Sequence, residues 1–255
     1  MGILSESSHE FWATISGSSL PDLRAQESMV WEWGVTAIEY RADLIPPAVY
    51  GELLRGNGRA GPAFVAHFGT GRDAESAREA IVKSFASDLA GCICHSRCEL
   101  LDEIRGRCAD TGRLFAAAYH SQLPMTATEA MREYEWQESL RPLFRKIAVR
   151  AKTVDDVVAL LQATSRASQD GGSPVVGAIF GPHRWARVAL PSAGSAVSFL
   201  LAAQATNEEG NDDEQLQLRE VECLQMVRGL YPPRSERLDD EALRPRKAAN
   251  IRAEV

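Results

Sequence analysis

Lysine is nearly missing from this chain of 255 residues: of 28 basic residues only Lys83, Lys146, Lys152 and Lys247 are lysines. Arginine is the default cation, so each lysine raises the question of what an amine does there that a guanidinium cannot, above all lose its proton. A basic excess is missing as well. The net charge is −7, the wrong sign for a surface that gathers phosphates, which argues against nucleic-acid partners. No apolar run comes near the roughly 18 residues of a membrane span, and the opening MGILSESSHEF lacks the basic-then-apolar plan of a secretion signal. The five cysteines are an odd number in a chain long enough to bury a core of its own, which disfavours a secreted disulfide framework. These absences lead to the expectation of a cytoplasmic protein with no membrane partner. A glycine-rich phosphate loop is missing too: the first apolar run is followed by Ser16-Gly17-Ser18-Ser19, without the G-x-G-x-x-G spacing.

What is present is a regular alternation. Short apolar runs at 12–15, 37–41, 63–68, 89–94, 114–120, 146–150, 175–180 and 197–202 read as strands. Helical spacing fills the intervals at 20–34, 47–56, 73–87, 99–112, 126–143 and 153–168, with further helices expected at about 184–191 and 214–230. Thr126-Ala-Thr-Glu129 has the capping-box pattern, and Thr153-Val-Asp-Asp156 puts acids into a first turn. Eight strand–helix alternations in this length predict an α/β fold closed as a single (β/α)8 TIM barrel, with residues 1–230 forming the barrel and its active site at the strand C-terminal ends. An open doubly wound sheet is the runner-up, weakened by the missing phosphate loop. The acidic run Glu208-Glu-Gly-Asn-Asp-Asp-Glu214 reads as a loop, and residues 231–255 as a charged C-terminal extension.

Four features carry chemistry. In Ala37-Ile-Glu-Tyr-Arg-Ala-Asp43 the period of two puts Glu39, Arg41 and Asp43 on one face, which in a barrel is the inner one. Charges there need partners, so an inward charged face marks a site or an ion-pair network, unless the strand is an edge with a solvated face. Lys146 opens an apolar strand, where burial can free its amine to attack a carbonyl, or where it can simply reach water from the strand mouth. Arg150, on the same strand face, would lower its pKa further. His120 ends a strand, where barrel enzymes place acid–base groups, although a lone histidine there also serves as a hydrogen-bonded structural residue. Arg187 precedes the small-residue stretch Ser192-Ala-Gly-Ser195 and offers a fork for a carboxylate.

Together these segments resemble the type I 3-dehydroquinate dehydratases, over about residues 10–230. Glu39-Tyr-Arg-Ala-Asp43 matches the family's E-x-R-x-D strand, Tyr119-His120 its histidine, Lys146-Ile-Ala-Val149 with Thr153 its lysine segment, and Arg187 with Gly194-Ser195-Ala196 its arginine and glycine–serine pair. The resemblance implies a hydro-lyase of aromatic biosynthesis. Lys146 condenses with a ring ketone, and His120 handles the carbinolamine, takes the proton beside the iminium and protonates the departing hydroxyl. Glu39, Arg41, Arg187, Ser195, Gln215 and His67 bind a small carboxylate substrate. It implies no cofactor and no metal, and is compatible with a homodimer. The departures gather around the same pocket. The third strand ends His67-Phe68-Gly69-Thr70 in place of an arginine and a glutamate–glycine–glycine turn, and the fourth, Ala90-Gly-Cys-Ile-Cys94, has no carboxylate. Ser121-Gln122 follows the histidine, Ala186 replaces a serine, and only Gln215 remains of a closing glycine–glutamine pair. A repurposed homologue acting on a different carbonyl is therefore the alternative, and a metabolite-binding regulator a third reading, which the retention of both Lys146 and His120 disfavours.

Two further features are weighed. Cys92, Cys94, His95 and Cys98 are zinc-ligand types, but at no standard structural spacing, and small cysteines packing a strand explain them better. Trp12, Trp31, Trp33 and Trp136 are expected between helices and barrel, with Trp185 as a roof over the pocket.

Overall fold

The computed structural model describes residues 9–32, 35–55, 63–69 and 73–202. The acidic run, the predicted last helix, Gln215 and the 231–255 extension lie outside the described residues, as do the side chains of Trp31 and Trp33. Strands and helices alternate in the order β1 (Glu10–Ile15), α1 (Leu20–Glu32), β2 (Ala37–Tyr40), α2 (Pro47–Arg55), β3 (Ala63–Phe68), α3 (Ala74–Phe85), β4 (Gly91–His95), α4 (Leu101–Thr111), β5 (Leu114–Ser121), α5 (Ala127–Glu138), β6 (Arg145–Arg150), α6 (Val154–Ala167), β7 (Val175–Phe180) and β8 (Val197–Leu201), with a 3₁₀ segment at Arg184–Ala193 between the last two. All eight expected strands are present. The strands pair in parallel in the spatial order β7-β6-β5-β4-β3-β2-β1-β8, a TIM barrel. No described helix is long and apolar enough to cross a membrane.

Local chemistry sets the boundaries. Thr126 with Glu129 and Thr153 with Asp156 form reciprocal capping boxes at the starts of α5 and α6, satisfying backbone donors that a helix start leaves orphaned. The helix expected to run to residue 143 stops at Glu138. Pro142 bars Arg141 from the helical region, and Arg141 adopts a φ of 54°. The helix expected near 184–191 is a 3₁₀ turn containing Pro191, which has no N–H for an α-helical ladder.

Each strand buries both faces, as parallel strands with crossover helices must. One set, including Phe11, Ala13, Ile15, Ile38, Tyr40, Cys92 and Cys94, packs outward against Leu23, Val30, Tyr50, Leu53, Ile81, Ile104 and Cys108 of the helices. The opposite set fills the barrel: Trp12, Val65, Ile93, Ala116, Phe144, Val176 and Phe199. Trp12 thus departs from expectation. It lies inside the barrel, edge-on to Phe144 and Phe199 at 5.5 and 5.6 Å, because it shares strand parity with Thr14, whose hydroxyl meets the inward carboxylate of Glu39. Trp136 is half-buried against the outer cluster, as expected.

The barrel closes by one backbone bond and two side chains where β7 faces β8. No ladder joins these two strands, so the free edge of β7 presents backbone groups at alternate residues. The Val175 carbonyl accepts from the Ala196 N–H at 2.8 Å. The Gly177 N–H donates to the Ser195 hydroxyl at 3.2 Å, and that hydroxyl donates to the Val197 carbonyl. The Ile179 carbonyl accepts from Arg187 Nε at 2.5 Å, and a second Arg187 nitrogen reaches the Phe199 carbonyl of β8 at 3.0 Å. One serine and one arginine therefore stitch the seam.

A second buried arginine ties down the opposite end of β6. Arg145 faces outward, away from Lys146, and donates to the carbonyls of Ser173 and Ala167 and to Asp170, with Glu138 at 3.1 Å. It fastens the ends of α5 and α6 to the loop that leads into β7.

Candidate active site at the strand C-terminal ends

Inward parity brings together one group from each of several strands: Glu39 on β2, His67 on β3, His95 on β4, His120 on β5, Lys146 on β6 and the ring of Phe199 on β8. Glu39 is central. One of its oxygens accepts from Thr14 at 2.6 Å, while the other meets His67 Nδ1 at 2.9 Å and the Lys146 amine at 3.6 Å. Burial on its own would raise the Glu39 pKa, but Lys146, His67 and Thr14 hold it well below the ordinary carboxylate value. The carboxylate is therefore ionised. It can only accept hydrogen bonds, so His67 carries its proton on Nδ1. The edge-strand alternative for this charged run falls, since β2 pairs on both sides.

Lys146 is buried, with its amine 3.4 Å from the centre of the Phe199 ring. Burial pushes its pKa down to about 8, helped by Arg187 and Arg41 and opposed by Glu39. Arg150, expected from strand parity to lower it, is not among the causes. Its guanidinium sits at the end of β6, on Gln122 at 3.2 Å and over Phe180. Arg41 and Asp43 grip each other in a two-point pair with distances of 2.7 and 2.8 Å. They occupy the turn just past β2 rather than the strand. Gly69 makes room for them: a side chain there would meet the Asp43 carboxylate at 2.4 Å.

His120 has its Nε2 buried without a hydrogen-bond partner, and so does His67. The two rings stack at 5.2 Å with 23° between their planes. Burial holds the His120 pKa well below the ordinary value, and Lys146, His67, Arg41 and His95 add to this. His120 therefore rests as a neutral imidazole at neutral pH.

His95 was missed as a pocket residue in the sequence. Its ring stands edge-on to His120 at 5.8 Å, and its two nitrogens face the backbone N–H groups of His120 and Arg97 at 3.1 and 3.0 Å. A neutral imidazole can accept only one of these, and an imidazolium neither, so the surroundings keep it neutral, as the lowered pKa also indicates. The signal was available. Ending the fourth strand at 95 rather than 94 gives His95 the inward parity of Ile93, while the neighbouring Cys92 and Cys94 face out into the helix layer. That division separates the four zinc-ligand types, and among the described residues no group of three or more metal-ligating side chains comes together.

Arg187 is buried near this cluster, and no carboxylate pairs with it among the described residues. Burial lowers its pKa to about 10, against the pull of Glu39. Two of its donors are committed to the β7–β8 seam. Ser195 does not join the cluster: it precedes β8, at the far end of the barrel, and its hydroxyl is spent on the seam. Trp185 is 56% exposed, with its ring edge toward His183, rather than seated as a roof.

Residues 115–229, just under half of the chain, match the family model for type I 3-dehydroquinase. That span takes in His120, Lys146 and Arg187. Over that span the chain resembles the type I 3-dehydroquinases. Solved structures of that kind share its fold: the type I 3-dehydroquinate dehydratase of Clostridium difficile, with covalently modified comenic acid, superposes with a TM-score of 0.71 at 16% identity, over 89% of this chain and 95% of the other. The enzyme of Geobacillus kaustophilus gives 0.73 at 16%, over 91% and 100%, and that of Aquifex aeolicus VF5 0.68 at 17%, over 88% and 99%. No curated protein sequence matches the chain. Glu39, His67 and His95 lie outside the matched span.

Proposed function

We propose that the protein is a Schiff-base-forming hydro-lyase that removes water from 3-dehydroquinate, or from a close cyclic keto acid, in the manner of the type I dehydratases. The observation that carries this reading is the amine of Lys146: buried in the barrel, pushed to about 8, and neighboured by an acid–base histidine. A neutral amine attacks the ketone, the carbinolamine loses water, and the iminium then draws electrons from the adjacent carbon. His120, with its unpartnered Nε2, is the general acid–base group of the cycle. Arg41 and Arg187 supply positive charge toward a carboxylate and ring hydroxyls, and Glu39 holds the amine in place. No metal or organic cofactor enters these steps.

The test is reductive trapping. Incubation with 3-dehydroquinate and borohydride should add the mass of the reduced adduct to the peptide containing Lys146, and Lys146→Arg should abolish it, since a guanidinium cannot form the adduct. No added mass on the wild-type chain would overturn the proposal for this substrate. One observation favours a second reading, a related carbonyl substrate: where the type I pattern has an arginine, His67 stands hydrogen-bonded to Glu39. A pocket without that permanent cation suits a substrate with fewer hydroxyls to grip. Trapping with a panel of cyclic keto acids separates the two.

A further inference from the structure

We infer that His67 is a second acid–base residue of this site, one that takes the carbon-bound proton while His120 keeps the transfers at the carbinolamine. The inference rests on the Schiff-base reading above and divides its proton transfers between two histidines. Three observations support it. His67 is completely buried and its Nδ1 is tied to the Glu39 carboxylate at 2.9 Å, so Nδ1 carries a proton and Nε2 is the nitrogen turned away from the carboxylate. That Nε2 is buried and has no hydrogen-bond partner, which leaves it as the ring nitrogen open to exchange a proton with a bound molecule. The Glu39 oxygen that holds His67 is also the one nearest the Lys146 amine, which places the imidazole beside whatever carbon the lysine has captured.

A carboxylate behind an imidazole, with the far nitrogen free, is the arrangement that makes histidine an effective base: the carboxylate orients the ring and stabilises the imidazolium that forms. His120 has no carboxylate partner among the described residues, and the groups around it all disfavour its charged form. In the step proposed, the C–H bond next to the iminium carbon breaks and its proton goes to His67 Nε2. The electron pair becomes the carbon–carbon double bond of an enamine, and the iminium nitrogen is neutralised. The imidazolium of His67 then returns that proton to the leaving hydroxyl. As the C–O bond breaks, water departs and the iminium is restored for hydrolysis.

The experiment compares the wild type with His67→Asn, whose amide can still donate to Glu39 but cannot accept a proton. With 3-dehydroquinate, two readouts are taken: borohydride trapping at Lys146, and exchange of the substrate's α-hydrogen in deuterated water followed by NMR. The expected result is trapping within about twofold of wild type and exchange slowed by 10²-fold or more, the usual scale of acid–base assistance. His67→Asn exchanging as fast as the wild type would overturn the inference while leaving the Schiff base intact. A wild-type chain that is not trapped would instead overturn the Schiff-base reading, and this inference with it. Should the variant fail to fold, ¹⁵N NMR of the wild-type imidazoles decides: His67 protonated on Nδ1 and bare on Nε2 supports the proposal, and the opposite tautomer refutes it.

Discussion

Replacing Glu39 by glutamine should lower the pKa of Lys146, although the substitution removes a group that holds the amine. The sign follows from the charges. Burial, Arg187 and Arg41 favour the neutral amine, and Glu39 alone among the named neighbours favours the ammonium. At 3.6 Å and an effective dielectric near 20, a unit pair interacts by about 4–5 kcal/mol, which is roughly three pKa units at about 1.4 kcal/mol each. Relaxation and the nearby arginines absorb part of this, so a fall of at least about one unit from the starting value near 8 is expected. The same shift enters stability. Because the folded value lies below that of the free side chain, the unfolded chain binds the extra proton in between, and stability rises with pH from about 8 to about 10.4. In Glu39→Gln that window opens lower. The assay is direct in a protein with four lysines: ¹³Cε-labelled lysine gives at most four signals, and Lys146→Met identifies the one of interest. A wild-type Lys146 signal titrating near 10.4, or one that moves upward in Glu39→Gln, would refute the electrostatic account of the site.

Other consequences are open to measurement. Arg187→Ala leaves the Ile179 and Phe199 carbonyls without their donor and should cost about 2–4 kcal/mol in denaturant unfolding; Arg187→Lys should recover only part, since one ammonium cannot bridge both strands as the guanidinium does. Arg145→Met strips the lower fastening of β6 and should cost about 2–4 kcal/mol, with Lys146 trapping retained by the fraction that stays folded. In a Cys223→Ser background a thiol reagent should label Cys98 first, since it is half-buried and Cys94 draws its pKa down to about 7, whereas Cys92, Cys94 and Cys108 should react only on unfolding. Chelators should leave the melting temperature unchanged, and a fall of several degrees would revive a metal role for the cysteine–histidine run.

The strands were legible because a parallel barrel strand is buried on both faces and so reads as an uninterrupted apolar run. The inward charges of Glu39 and Lys146 were legible for the complementary reason, that a charge within such a run has only the barrel interior to face. Less could be read where a side chain's destination depends on a neighbouring strand. The bonds that Arg187 makes to the Ile179 and Phe199 carbonyls are not legible, because nothing local says that β7 and β8 lack a ladder there. The hydrogen bonds of Ser195 to Gly177 and Val197 are hidden from the sequence for the same reason. Arg150 shares Lys146's parity but not its depth, and parity carries no information about depth. Trp12 is large and apolar, which suits either side of a strand, and only the partner of Thr14 decides which side is the interior. His95 lies one residue past the apolar run, so the run alone does not extend to it the inward parity of Ile93.

Seven of the eight strand junctions are held by backbone ladders, and the eighth by one backbone bond and two side chains. The low dielectric that sets the lysine's reactivity is maintained partly by Phe199, which stands on the far bank of that weak junction. Local opening of a barrel is easiest where the fewest backbone bonds must break, which in this barrel is between β7 and β8. Arg187 belongs both to the seam and to the surroundings that lower the Lys146 pKa, so loosening the seam would weaken the burial and the like charge that hold that pKa near 8.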